Sequence, residues 1–96
     1  MLVLDVLERL PMHGYGVVRA LRDRSGGVFE LPEGTVYPSL HRLEAAGLLE
    51  SDWQDVEGRR RRVYRVTSAG TAAASVERGE WNRFAGAVGA VLARPA

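Results

Sequence analysis

Two groups of side chains in this chain have types and spacing that could do chemistry. Thr35, Tyr37, Pro38, Ser39, His41 and Arg42 lie within eight positions, with no carboxylate among them until Glu44. Their hydroxyl, phenol and guanidinium groups can donate to phosphate oxygens, and His41 and Arg42 have the reach for base edges. The second group is the run Arg59-Arg60-Arg61-Arg62. A cation run of this kind neutralises phosphates, and each phosphate so neutralised steepens the log–log salt dependence of binding by about 0.9. The chemistry expected of both groups is recognition of a polyanion. Catalysis is not expected. The two histidines, His13 and His41, lie in different segments, there is no cysteine, and no carboxylates cluster at metal-ligand spacing. Ser39 and His41, two residues apart, would not face each other on a helix. The glycines follow no phosphate-loop pattern. No metal or other cofactor is expected.

The elements that must position these groups are few, because 96 residues make one domain with a small core. Net charge is only +1, so distribution matters more than total. All thirteen basic residues are arginine, which codon bias accounts for. The segment before the arginine run is acidic, with Glu50, Asp52, Asp55 and Glu57, so positive potential is concentrated at one place. No apolar run approaches the ~18–20 residues a membrane span requires, and the chain reads as cytoplasmic.

Val3, Val6, Leu7 and Leu10 recur at helical spacing, and Pro11 ends that first helix. Met12 to Gly16 reads as a turn. Val17, Val18 and Leu21 then mark a second amphipathic helix that closes at Ser25-Gly26-Gly27. An extended link leads to a third helix with a tight start near residues 33–35 and Val36, Leu40 and Leu43 as its buried stripe; a Thr35 N-cap would put Pro38 at the third helical position, whereas a start at Glu33 would make Pro38 delete a bond. Gly47 offers a left-handed stop. Leu49, Ser51 and Trp53 alternate with Glu50, Asp52 and Gln54 as a half-buried strand. After a turn at Val56-Glu57-Gly58 comes the returning strand, Arg61 to Thr67. Thr67 or Ser68 can cap a last helix, in which Ala74, Trp81, Ala85, Val88 and Leu92 fall near a heptad seam with Phe84 beside it.

The fold expected is mainly α with a small β-hairpin. The order helix, helix, helix, hairpin, helix is that of a winged helix-turn-helix, whose third helix reads the major groove. It divides into a 1–67 winged-helix segment and a 68–96 dimerisation helix.

The wording of the sequence also resembles the PadR family of transcriptional regulators. The resemblance is carried by Pro11-Met12-His13-Gly14-Tyr15, by Gly34-Thr35-Val36-Tyr37-Pro38-Ser39-Leu40-His41-Arg42-Leu43-Glu44, and by Gly47-Leu48-Leu49. It continues through the arginine-rich hairpin with Tyr64-Arg65-Val66-Thr67, and Ala69-Gly70. It covers about residues 1–70 and implies a homodimeric DNA-binding protein, usually a repressor, relieved by a small molecule or stress signal. A single short C-terminal helix is similar to that of the family's smaller members.

With this resemblance, double-stranded DNA carrying a pseudo-palindromic operator becomes the expected partner, together with a second copy of the chain. Several residues keep two readings. Tyr37 is either a phosphate donor or packing beneath its helix, and Tyr15 has the same two readings. His13 is read as structural. Trp81, with Phe84, Ala85 and Val88, is either the dimer core or the lining of a cavity where a small planar aromatic effector stacks. The rival function is a winged-helix protein–protein module that has lost DNA binding, and the four-arginine tip argues against it.

Overall fold

A computed structural model describes residues 2–94, so the outermost residues of both expected segments lie outside the described residues. The elements run α1 (Leu2–Arg9), β1 (Met12–His13), α2 (Gly14–Arg24), α3 (Glu33–Ala45), β2 (Leu49–Val56), β3 (Arg59–Val66) and α4 (Ser68–Leu92). α1 buries Val3, Leu4, Val6 and Leu7. Leu10 falls outside the helix and is exposed, because Pro11 disfavours helical angles at the residue before it.

Residues 12 and 13 correct the expected turn. They form a third strand, antiparallel to β3, with Met12 opposite Tyr64 and His13 opposite Val63, and the sheet order is β1-β3-β2. Two residues are too few to show alternation, and their partner lies fifty positions on. His13 also caps α2, its Nδ1 accepting the Gly16 N–H at 3.1 Å.

α3 starts at Glu33, the earlier of the two expected starts, and Thr35 is not its cap. Its N-cap is Pro32, whose side chain has no group to bond with, and the Pro32 carbonyl accepts from the Thr35 and Val36 N–H groups. Pro38 therefore sits inside the helix and deletes one backbone bond. The end is a Schellman motif: Leu48 N–H bonds to the Leu43 carbonyl, Gly47 N–H to the Glu44 carbonyl, and Gly47 has φ 78°.

The core joins all the helices to the base of the hairpin. Tyr64 is its largest fully buried side chain, among Leu4, Leu7, Val17, Val36, Leu40 and Leu49. Removing each such aliphatic side chain from water contributes about 1.5–3 kcal/mol. Thr67 joins three elements. Its Oγ1 donates to the Gly47 carbonyl at 2.7 Å and accepts the Gly70 N–H at 3.1 Å, capping α4 against the end of α3. Gly70 lies so close to this junction that a Cβ there would overlap the Leu48 carbonyl oxygen and sit 2.8 Å from Val66 Cγ1.

Two expectations change at the outer ends. β2 is half-buried only at its base, and Trp53 is 53% exposed, because the hairpin projects beyond the core. The last helix is not short: its 25 residues span about 37 Å. It continues through Gly79, Gly86 and Gly89 without a break. Trp81 (63% exposed), Phe84, Val88, Val91 and Leu92 face solvent, and the molecule measures 59 × 28 × 21 Å. Among the described residues, no helix is long and apolar enough to cross a membrane.

Candidate nucleic-acid interface

Helical spacing divides the surface of α3 into three sides. Val36, Leu40 and Leu43 face the core. Gly34, Pro38, His41 and Ala45 line the opposite side, and all four are exposed. Apart from His41 this outer stripe is small and lacks charge, so a partner can approach the helix backbone closely. Thr35 and Arg42 lie on one flank with Ser39 beside them. Arg42 Nη2 donates to Ser39 Oγ at 3.1 Å, and Ser39 Oγ donates to the Thr35 carbonyl at 3.2 Å. The Ser39 hydroxyl is thus already engaged, and it orients the Arg42 guanidinium along the helix.

On the other flank Tyr37 is half-buried against the start of α2. A Cβ at Gly14 would lie 2.6 Å from Tyr37 Cζ, so the two helices meet where glycine leaves room for the ring. Of the two readings of Tyr37, packing is therefore occupied. Tyr15, one residue further along α2, is exposed. It stacks parallel to His13 with centroids 6.4 Å apart, and the Arg19 guanidinium lies 5.8 Å from its ring.

The hairpin turn places Glu57 (φ 52°) and Gly58 (φ 77°) in left-handed conformations, as a two-residue type I′ loop requires. That loop fixes the register as Val56 opposite Arg59, Asp55 opposite Arg60, Gln54 opposite Arg61 and Trp53 opposite Arg62. Side chains alternate across a strand. Arg60 and Arg62 therefore share a face with Trp53, and their guanidiniums lie 6.0 and 5.7 Å from its ring centroid. Arg59 and Arg61 share the other face.

The Trp53 face is the one that continues onto α3. Ser51 Oγ donates to Glu44 Oε2 at 2.6 Å, Arg62 Nε donates to Ser51 Oγ at 2.8 Å, and Arg62 Nη2 lies 3.6 Å from the same carboxylate. This triad ties the hairpin to the last turns of α3. Elsewhere on the sheet Arg65 bridges Glu50 and Asp52. Both carboxylates there are already matched by a cation, and the hydrogen bond from Gln54, followed by Arg65, holds Asp52 below its ordinary carboxylate value. Among the described residues, Arg59, Arg60 and Arg61 make no ion pair.

His13 lies within electrostatic reach of Arg61. Burial, then the Arg61 guanidinium, pushes its pKa below the ordinary histidine value, against a smaller opposing effect of Glu57. A neutral imidazole is what the α2 cap needs, since Nδ1 must accept.

The expected effector residues are only partly brought together. Trp81 and Phe84 pair with centroids 5.8 Å apart. Trp81 joins Leu2 and Phe29 in a groove of about 770 Å³, with Asp5, Glu8 and Arg78 at its polar side. Ala85 and Val88 lie further along α4, on surface that no described residue covers. Arg78 is paired with both Asp5 and Glu8, which fastens α4 to α1.

Trp53, Glu44 and Ser51 lie beside the sequence-predicted residues without belonging to that set, and the last two form a triad with the predicted Arg62. Trp53 has a signal in the sequence: counting outward from a two-residue Glu57-Gly58 loop puts it opposite Arg62. The triad has none, because it depends on how α3 crosses the strand.

Comparison with known proteins bears on this geometry. Residues 3–76 match the transcriptional regulator PadR-like family. The transcriptional regulator Rv3488 of Mycobacterium tuberculosis is 49% identical over 67 residues, which are 70% of this chain and 60% of that protein. The chain thus spans less than two thirds of that relative's length. Among solved structures, a PadR family transcription regulator from Clostridium difficile is 29% identical. It superposes with a TM-score of 0.84, covering 96% of this chain and 95% of that one. A PadR family transcriptional regulator from Eggerthella lenta is 32% identical with a TM-score of 0.80, covering 98% and 83%.

Proposed function

The chain belongs to the PadR-like family of transcriptional regulators, which bind DNA and are not enzymes, and from that premise we propose that it is a homodimeric repressor acting on a pseudo-palindromic operator in the cytoplasm. The 1–67 segment is the reading head. The outer side of α3, with His41 and Arg42 beside the Gly34–Pro38–Ala45 stripe, enters the major groove. Thr35 and the start of α2 take backbone phosphates, and the arginine hairpin lies along the flanking backbone.

The observation that carries this reading is the outer side of α3. It is free of carboxylates and flanked on one side by an oriented guanidinium and on the other by a basic hairpin clamped to the same helix.

The 68–96 segment pairs two copies. The exposed apolar surface of α4 from Val76 to Leu92 supports this, since water-exposed Trp, Phe, Val and Leu along one helix favour burial against a second apolar surface. A paired α4 would set two α3 helices about one helical turn of DNA apart, ~34 Å. A small planar effector seated at Trp81 and Phe84 would alter that spacing and release the operator. The aromatic groove beside Leu2 and Phe29 supports this step.

The test is binding to the DNA upstream of the chain's own gene. His41→Ala/Arg42→Ala is expected to weaken sequence-specific binding by about 1–3 kcal/mol for each base edge no longer read, with the circular dichroism spectrum unchanged. Equal affinity for specific and scrambled duplexes in the wild-type chain would refute the reading.

A further inference from the structure

Resting on the DNA-binding reading above, we propose that Trp53 itself touches DNA. Held between Arg60 and Arg62, it packs on the deoxyribose and groove edge of the duplex while the Arg60 guanidinium takes an adjoining phosphate.

Four observations converge on it. Trp53 is more than half exposed on a projecting hairpin and contributes nothing to the core. Its ring is flanked by Arg60 at 6.0 Å and Arg62 at 5.7 Å. Arg60, which makes no ion pair among the described residues, keeps its N–H edges free for phosphate oxygens, while Arg62 bonds to Ser51, lies beside Glu44 and so fixes the ring against the hairpin.

The third observation is direction. Ser51 and Arg62 on this face are tied to Glu44 of α3, so this is the side of the hairpin turned toward the reading helix. A duplex seated on the outer side of α3 meets Trp53, Arg60 and Arg62 before it meets the opposite face. The fourth is charge. Away from the Trp53 ring, Arg65 is committed to Glu50 and Asp52, and Arg61 stands near His13. Cations flanking an exposed ring select a polyanion with apolar sugar surface between its charges, which describes the DNA backbone.

The experiment uses the full chain and two duplexes, the gene's own upstream DNA and a mixed-sequence duplex. Trp53→Ala is expected to weaken both on the order of tenfold, and Trp53→Phe, which keeps a ring for the arginines, to recover part of that affinity. Arg60→Ala should flatten the log–log salt slope by about 0.9 and more than Arg59→Ala does. With fluorotryptophan incorporated, the fluorine resonance missing from Trp53→Phe identifies Trp53, and it should shift as duplex is added to the unsubstituted chain. If the unsubstituted chain binds duplex while Trp53→Ala binds equally well, or while that resonance stays still, this inference is overturned and the DNA-binding reading stands. If Arg60→Ala and Arg59→Ala flatten the slope equally, the arrangement around Trp53 is overturned. If the unsubstituted chain binds neither duplex, both fall.

Discussion

At the residue scale, two positions have roles that substitution can isolate. His13 caps α2 only while Nδ1 is unprotonated, and its pKa is depressed by burial and by Arg61. A depressed pKa means the unfolded chain binds the proton more readily. The cap's contribution is therefore complete above the ordinary histidine value of 6.5 and is lost as pH falls through the lower folded value. His13→Asn keeps an acceptor that does not titrate. Urea midpoints measured between about pH 5 and 8 should show the unsubstituted chain losing stability relative to His13→Asn on acidification, and His13→Ala should cost about 1 kcal/mol at neutral pH. Parallel profiles for the native chain and His13→Asn would rule out a titrating cap. Gly70→Ala places a Cβ on the Leu48 carbonyl, and urea unfolding should register a loss of about 1–3 kcal/mol; a neutral result would mean that the α3–α4 junction yields easily. Legibility differs between these residues. Thr67 is visible as a cap because hydroxyl residues before a helix are a local signal. The role of Gly70 is not, because it is set by a carbonyl twenty-two residues earlier in the chain.

Among the elements, periodicity serves well where the pattern is long. The buried stripe of α3 and the stop at Gly47 follow from spacing and from a left-handed glycine. The start of α3 falls at the early edge of the expected 33–35 window, and Thr35, a good cap in isolation, is not its cap. Here Pro32 precedes the helix, and its carbonyl collects the first bonds. β1 has no local signal because its pairing with β3 is tertiary, and alternation overstates the burial of Trp53 because it does not reveal where a sheet runs out of core. The coupling of α3 to the hairpin rests on Glu44, which is partly exposed, so Glu44→Ala should change global stability by less than about 1 kcal/mol. Its effect belongs to the hairpin: amide exchange at Trp53 and Arg62 should quicken relative to Tyr64, whose neighbourhood is core. Unchanged exchange would show that the strands hold their direction without the triad.

For the whole molecule, the long bare α4 is the dominant fact. Its large apolar residues beyond Arg78 are exposed, and a second copy is the occupant proposed for them. Phe84→Glu, placed in the middle of that surface, should shift the sedimenting species from dimer to monomer while leaving the 1–67 segment folded. The sequence pattern anticipates a pairing helix and the resemblance implies a short one, whereas α4 runs for 25 residues and continues unbroken through Gly79, Gly86 and Gly89. Everything proposed about function then meets in one measurement, hydroxyl-radical footprinting of the unsubstituted chain on its gene's upstream DNA. We expect two protected segments related by a two-fold axis, with centres about one helical turn, ~34 Å, apart, and Phe84→Glu should abolish the paired pattern. Uniform cleavage at low salt, where even non-specific phosphate binding is strongest, would contradict a dimeric DNA reader.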